Sequence, residues 1–317
     1  MSDTPAALDR IRVRFATVRD RSADERSGFA ASLRAIRADE HVLLETCHRV
    51  ELVSVGDAAG SGTAVDGVEA VRRVFNVVAG FDSAVMAEEQ LLGQARAAYE
   101  SALSDGSTGP VLNELFRRAI RFGRRVRSQA RPGADRSLAD RAVAWLLERL
   151  PGPSADVLVA GTGEMGRLAS AALAVAGHRV TVASASSDRA RRLAERLPGS
   201  RHRAVATPLG AGSMARRDGL VLAQRSARPT LDAAALGGNR PWTVDLSTPS
   251  ALTPDAVELL GDRLLAIDGL GRLEPRAPVL EPGTERRLRR ELDDEVGRFV
   301  AWLDARRGAD ALAALHG

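Results

Sequence analysis

Residues 156–166 read DVLVAGTGEMG, an apolar run that breaks into Gly161, Gly163 and Gly166 at G-x-G-x-x-G spacing. Glycines at that spacing are weak evidence alone. Here an apolar run precedes them, the helix-like RLASAALAVAG follows, and a second apolar run, HRVTVAS, ends about twenty residues on; a dinucleotide is held in that strand–turn–helix–strand setting, its phosphates on the helix N-terminus. Gly161 then permits the tight turn, Gly163 lets a pyrophosphate approach the backbone, and Gly166 lets helix and strand pack closely. The helix-like DRARRLAERL and the runs GLVLAQ and PWTVDLS continue the alternation. A Rossmann-type α/β domain with a parallel sheet is expected over residues 151–275.

The end of the second run selects the dinucleotide. A carboxylate there holds a ribose diol and repels a 2′-phosphate. This chain has Ser184, Ala185 and Ser186, followed by Arg189, Arg191 and Arg192. Hydroxyls and guanidinium groups suit a phosphate. NADPH is therefore the expected cofactor, with Gly161, Thr162, Gly163, Glu164, Met165, Gly166, Ser184, Ser186 and Arg189 as its binding residues.

Before residue 150 the order is less regular. IRVRFATV and HVLLE read as strands, and residues 22–37 and 68–79 as helices, which makes residues 1–150 an α+β domain rather than a second copy. Breaker-rich loops at 104–110 and 130–135 bracket VLNELFRRAIRFGRRVR. In it Leu112, Leu115, Phe116, Ala119, Ile120 and Val126 share one helical face, and Arg117, Arg118, Arg121, Arg124, Arg125 and Arg127 take much of the rest. That basic face is either solvated or a contact for a polyanion. From residue 284 onward one long helix is expected, with Leu288, Leu292, Val296, Phe299 and Leu303 on a single stripe. Such a stripe must pack on the body of the chain or on a second copy, so a monomer and a weak homodimer both stay open. Residues 276–317 are expected as a terminal spinal helix.

Composition narrows the classes further. The chain has 317 residues and 45 basic side chains against 41 acidic ones, and every basic one is arginine. Wholesale arginine is what a G+C-rich genome writes, and it is also what a phosphate-bearing partner favours. With 3% aromatic residues, a surface that stacks many unpaired bases is not expected. A single cysteine excludes an intramolecular disulfide and a multi-cysteine metal site, and no metal is expected. No apolar run reaches bilayer length and the first residues, MSDTPAALDR, carry no signal-like apolar stretch, so the expected compartment is the cytoplasm.

That cysteine, Cys47, lies in HVLLETCHRVEL among Thr46, His48, Arg49 and Glu51. A lone cysteine is usually a small buried hydrophobe. Polar, cationic neighbours instead favour the thiolate. A thiolate combined with a reduced nicotinamide points to covalent catalysis: attack on an activated acyl group, a thioester, then hydride delivery to give an aldehyde.

ETCHRVEL resembles the Thr-Cys-Asn-Arg-x-Glu-Leu segment of the glutamyl-tRNA reductase family. The resemblance runs on in order. VRRVFNVVAGFDSAVMAEEQLLGQARAAYESA is similar to the segment ending in Gln-Ile-Leu-Gly-Gln, LFRRAIRFGRRVRSQ to the basic helix after it, VLVAGTGEMGRLA to the nucleotide loop, and VDLSTPSALTP to Ile-Asp-Leu-Ala-Val-Pro-Arg. The resemblance implies a catalytic N-terminal domain, an NADPH domain and a spinal helix. It implies that Cys47 attacks the ester joining an amino acid to tRNA, that NADPH reduces the thioester to an aminoaldehyde, and that Arg49 grips the substrate's side-chain carboxylate. Thr46, Ser83, Glu88 and Gln90 stand at further positions of that active site, and His48 beside the nucleophile is a candidate to stabilise the thiolate or donate a proton.

Departures from the pattern bear on the substrate. After the first strand the chain reads ATVRD where the family has Asn-His-Lys-Thr. His48 replaces an asparagine, Arg73 a histidine, Ala87-Glu88-Glu89-Gln90 the stretch Gly-Glu-Pro-Gln, and Ser184-Ala185-Ser186 the ribose-binding Asn-Arg-Thr. The sequence also stops where the family's C-terminal dimerisation domain begins, so a shortened member is expected. An altered polar shell around a retained nucleophile leaves three readings. The first is a reductase of glutamyl-tRNA or of another aminoacyl-tRNA, whose aldehyde passes to a downstream enzyme. The others are a reductase of carrier-protein or coenzyme A thioesters, and a catalytically silent regulator that binds tRNA or a true reductase.

Overall fold

The computed structural model describes residues 8–17, 20–46, 48–56, 60, 62–83, 86, 89–131, 137–152, 154–199, 202–206, 211–214, 216–224, 228–270 and 279–316. The chain forms two compact units, Met1–Arg136 with Arg276–Gly317, and Ser137–Pro275.

The first unit contains β1 (Ile11–Thr17), α1 (Ala23–Arg34), β2 (Glu40–Glu45), β3 (Arg49–Val55), β4 (Thr63–Asp66), α2 (Gly67–Ala79), α3 (Glu89–Ser104), α4 (Pro110–Ser128) and a C-terminal helix, Pro282–His316. Its sheet runs β2–β3–β1–β4 with every pairing antiparallel. Side chains alternate across a strand, and β3, buried along its whole length, uses both faces. Val50 and Leu52 pack with Phe29, Ala30 and Leu33 of α1. Val53 and Val55 join the larger core with Val71 and Phe75 of α2 and Leu115 and Phe116 of α4. The same alternation turns Arg49 and Glu51 toward the helical layer.

Caps set where the helices start. Ser22 and Glu25 form a reciprocal capping box at α1. Helix α4 opens on Pro110, and Glu40, the first residue of β2, accepts hydrogen bonds from the amides of Val111 and Leu112 at 3.1 and 2.7 Å. A carboxylate from across the unit thus caps α4 and meets its positive dipole end. The apolar face expected for α4 is buried, with Phe122 and Gly123 added to it.

The stripe Leu288, Leu292, Val296, Phe299 and Leu303 is buried, each residue at 3% exposure or less, and the C-terminal helix packs on α2 and α4. Arg125 pairs with Glu291, Arg72 with Asp293, and Arg287 donates to Gln129 along its flanks. The segment 276–317, expected as a separate spinal element, therefore belongs to the first unit, because its apolar stripe is covered by that unit's own helices.

The second unit begins earlier than the expected boundary at residue 150. Helix α5 (Leu138–Leu147) packs on α6 (Glu164–Val175) and on β9 (Trp242–Asp245), and Trp145 meets Trp242 edge to face. Burying α5 requires that partner layer, so the division falls at residues 136–137. The remaining elements are β5 (Asp156–Ala160), β6 (Arg179–Ser184), α7 (Ser187–Glu195), β7 (Arg203–Ala206), α8 (Ala211–Met214), β8 (Gly219–Leu222), α9 (Ala233–Leu236), α10 (Pro254–Leu260), β10 (Leu264–Ala266) and α11 (Ile267–Leu270). The sheet order β10–β9–β8–β5–β6–β7 is parallel throughout, the doubly wound arrangement expected from the alternating runs. Among the described residues no helix is long and apolar enough to cross a membrane.

Candidate functional site

The hairpin from β2 to β3 is closed by Thr46. Its amide donates to the Arg49 carbonyl at 2.9 Å, and its hydroxyl accepts from the amides of His48 and Arg49 at 3.2 and 3.1 Å. A threonine is suited to this because its short hydroxyl satisfies a tight turn's orphan amides. Thr46, His48 and Arg49 are thereby held together as the sequence implies. Cys47 lies outside the described residues.

Arg49 enters the helical layer at 5% exposure. Its guanidinium donates to Glu51 at 3.0 Å and to the Asp82 carboxylate at 3.4 Å, and also binds the Asp82 carbonyl oxygen. Glu51, 2% exposed, is also gripped by Arg73 of α2, whose Nε and Nη2 reach its two oxygens at 3.1 and 2.8 Å. Arg73 also lies 3.3 Å from the centre of the Phe15 ring on β1. Two guanidinium groups and two carboxylates therefore compensate one another in one partly desolvated cluster, where unpaired charge is costly. The arginine expected to meet a substrate carboxylate already holds two carboxylates of the protein.

Of the other expected positions, Ser83 follows Asp82 directly and is half-buried. Gln90, near the start of α3, is 6% exposed, and its Nε2 has no hydrogen-bond partner among the described residues. Glu88 lies outside the described residues. Asp82 and Phe15 carry no motif in the sequence, Glu51 enters it only as a polar neighbour of Cys47, and Arg73 only as a departure from the family pattern. The available signal was the alternation Arg49–Val50–Glu51–Leu52–Val53, which places two charges on a core-facing strand side.

In the second unit, strand order reverses between β5 and β8, so a crevice opens at their carboxyl ends. Gly161 follows β5 with φ +126°, and a Cβ there would sit 2.1 Å from the Ala223 carbonyl oxygen beyond β8. A Cβ on Gly166 would sit 2.1 Å from the Gly161 carbonyl oxygen, whereas one on Gly163 would meet nothing within 4 Å. Two glycines thus serve packing, and Gly163 leaves open space at the start of α6. The first intrahelical bond there runs from Arg167 to the Gly163 carbonyl at 2.9 Å, so the amides of Glu164, Met165 and Gly166 precede the helical ladder. This arrangement fits a dinucleotide phosphate.

At the end of β6, Ser184 is buried; its hydroxyl accepts from the Ser186 amide at 3.3 Å and lies 3.4 Å from the Thr162 hydroxyl. The Ser186 hydroxyl caps α7 by accepting from the Arg189 amide at 3.3 Å. These two hydroxyls shape the turn. Arg189 is exposed and its side chain has no ion-pair partner among the described residues, while Asp188 is drawn off by Arg191 and Arg192 at 2.7 Å each. Hydrogen bonding from Arg191 holds the Asp188 carboxyl below its ordinary pKa.

Across the crevice, Asp245 ends β9 at 2% exposure. It accepts from the Ser250 hydroxyl at 2.7 Å and from the amides of Ser247 and Ala251 at 2.9 and 3.0 Å. Burial pushes this carboxyl up, and the three donors oppose the shift. The Ser247 hydroxyl in turn accepts from the Gln224 amide at 3.1 Å, which ties the ends of β8 and β9 together.

Comparison with known proteins covers both units. A family model described as Glutamyl-tRNAGlu reductase, N-terminal domain, matches residues 10–130, and one described as Shikimate / quinate 5-dehydrogenase matches residues 148–273. A glutamyl-tRNA reductase from Kineococcus radiotolerans is 32% identical over 94% of this chain and 75% of its own length. One from Natronomonas pharaonis is 29% identical over 87% of this chain, which spans 65% of that relative's length. A solved glutamyl-tRNA reductase structure from Methanopyrus kandleri is 24% identical, covers 94% of this chain and 80% of its own, and has a TM-score of 0.41.

Proposed function

The chain belongs to the glutamyl-tRNA reductase family, and from that premise we propose that it reduces the acyl group of an aminoacyl-tRNA to an aminoaldehyde with NADPH, through a thioester on Cys47. The observation that carries this reading is the turn Thr46–Arg49 with its buried arginine, on a chain whose second unit carries the phosphate-binding glycine crossing.

In this mechanism the Cys47 thiolate attacks the ester carbonyl carbon, the ester C–O bond to the terminal ribose breaks, and the tRNA leaves as its hydroxyl after taking up a proton. Thr46 fixes the backbone on either side of the nucleophile. His48, next to Cys47 in the sequence, stabilises the thiolate or donates a proton. NADPH, when bound, supplies the hydride that reduces the acyl group as the thiolate is released. The amides of Glu164, Met165 and Gly166 would hold its pyrophosphate, Gly163 would give it room, and Arg189 would meet its 2′-phosphate. Ser184 and Ser186 act by holding Thr162 and Arg189 in place.

Ser83, Glu88 and Gln90 complete the acyl pocket, and the buried Nε2 of Gln90 supplies a donor for the aminoacyl group. The family's substrate, glutamyl-tRNA, is the first candidate. Charged tRNA and NADPH meet in the cytoplasm, where the aldehyde passes to an acceptor enzyme. The test is a single-turnover incubation with glutamyl-tRNA and NADPH, with the aldehyde trapped and weighed. A glutamate-derived aldehyde supports the reading, and its absence with every charged tRNA sinks it.

A further inference from the structure

Helix α4 presents Arg117, Arg121 and Arg124 on the side opposite its buried face, at i, i+4 and i+7, so the three form one exposed stripe. Several exposed arginines of the first unit are drawn into ion pairs, such as Arg96 with Glu100 and Arg298 with Glu295, whereas others, such as Arg286 and Arg290 of the C-terminal helix, are not, among the described residues. Arg121 and Arg124 have no ion-pair or hydrogen-bond partner among the described residues. Arg117 reaches Glu114 only at 3.8 Å, and that carboxylate is held by Arg118 at 2.7 Å. Three cations at this spacing cover about 10 Å along the helix, or about three backbone steps of one nucleic-acid strand.

The stripe is placed for a substrate that reaches the hairpin. At the carboxyl end of α4, Arg127 donates to the Val78 carbonyl at 3.0 Å. The chain runs from Val78 in four residues to Asp82, whose carbonyl oxygen binds Arg49. Arg124 thus lies one helical turn from the junction that leads to the hairpin, and Arg121 and Arg117 lie successively farther along α4. Around the stripe the exposed positions of α4 are Arg125 and Ser128. With no apolar anchor among them, a membrane surface is not matched. With no aromatic ring, stacked bases are not matched either. Repeated guanidinium forks match a phosphate backbone.

We infer that the stripe Arg117–Arg121–Arg124 of α4 holds the phosphate backbone of the RNA whose acyl end enters the Thr46–Arg49 turn, an inference that rests on the aminoacyl-tRNA reading above. The test measures binding of a fluorescein-labelled, uncharged tRNA pool to the full chain across a salt series. Three proteins are compared: the unaltered chain, R117Q/R121Q/R124Q, and the charge-matched control R10Q/R37Q/R96Q. Glutamine keeps helix propensity at these exposed positions, and an unchanged far-UV circular dichroism spectrum and thermal midpoint report intact folding. The expected result is binding at least tenfold weaker in the stripe variant, a salt slope shallower by about 2–3, and a control within twofold of the unaltered chain. If the unaltered chain binds tRNA and the stripe variant matches it, or if both variants weaken alike, the stripe is not the docking surface. If the unaltered chain binds no tRNA at all, the aminoacyl-tRNA reading falls and the docking surface falls with it.

Discussion

Arg73 grips both oxygens of Glu51, at 3.1 and 2.8 Å, from a position against the Phe15 ring, while Arg49 donates at 3.0 Å to Oε1 of the same carboxylate. Glu51 thus joins strand β3, which carries Arg49, to helix α2. Removing one member of a buried charge network strands the others, at a cost of about 3–5 kcal/mol. Glu51→Gln is expected to lower the free energy of unfolding by roughly that amount. Urea denaturation checks it, and a loss below about 1 kcal/mol would show that the network bears little of the fold.

The three glycines of the nucleotide loop separate by role. Gly161→Ala and Gly166→Ala each force a Cβ to 2.1 Å from a backbone carbonyl, so both should destabilise the second unit. Gly163→Ala meets no protein atom and should leave the thermal midpoint unchanged while weakening NADPH binding at least tenfold. Thermal melts paired with NADPH fluorescence titrations distinguish the roles. Normal NADPH affinity in Gly163→Ala counts against that cradle.

Arg189, the proposed contact for the 2′-phosphate, is exposed and outside the ion pairs that occupy Asp188. Arg189→Ala should reduce the preference for NADPH over NADH by about tenfold, the effect of one charge-assisted contact of 1.4 kcal/mol. Ser186→Ala should act more weakly and chiefly by loosening the α7 cap. Steady-state kcat/KM for the two dinucleotides gives the ratio, and an unchanged ratio in Arg189→Ala moves phosphate recognition elsewhere.

Asp245 makes stability depend on pH in an identifiable direction. Burial raises its folded pKa above the unfolded value of about 3.9. The protonated form is therefore bound more tightly in the folded state, so its contribution is full below that unfolded value and is lost as pH rises through the folded one. Asp245→Asn removes the titration but also replaces an oxygen that accepts from the Ala251 amide. Relative to the unaltered chain, the variant should gain ground between about pH 4 and neutrality. Urea midpoints of both proteins across that range check the trend, and parallel profiles would contradict it.

Much of this was readable before the structure. The stripe Leu288–Leu303 and the buried face of α4 have strong helical periodicity, and Gly161, Gly163 and Gly166 stand in a setting that leaves few alternatives. Helix α5 was not legible, because LADRAVAWLL is apolar on nearly every side and even its Arg141 is buried. The alliance of the C-terminal helix with the first unit was not legible either, since a stripe says that it must be covered and not by what. The cluster of Arg49, Glu51, Arg73 and Asp82 joins residues up to 33 positions apart, so only the antiparallel sheet with α2 laid across it brings them together. Glu40 capping α4 from 71 and 72 residues away belongs to the same class.

The proposed role of Cys47 is to carry the acyl group between tRNA and NADPH. Its most direct test is intact-protein mass spectrometry after mixing the chain with glutamyl-tRNA in the absence of NADPH, with Cys47→Ser alongside. The expected result is an adduct of one glutamyl mass on the unaltered chain, none on the variant, and its discharge to a trapped aldehyde when NADPH is added. An unmodified chain with every charged tRNA, or an adduct that persists in Cys47→Ser, would contradict it.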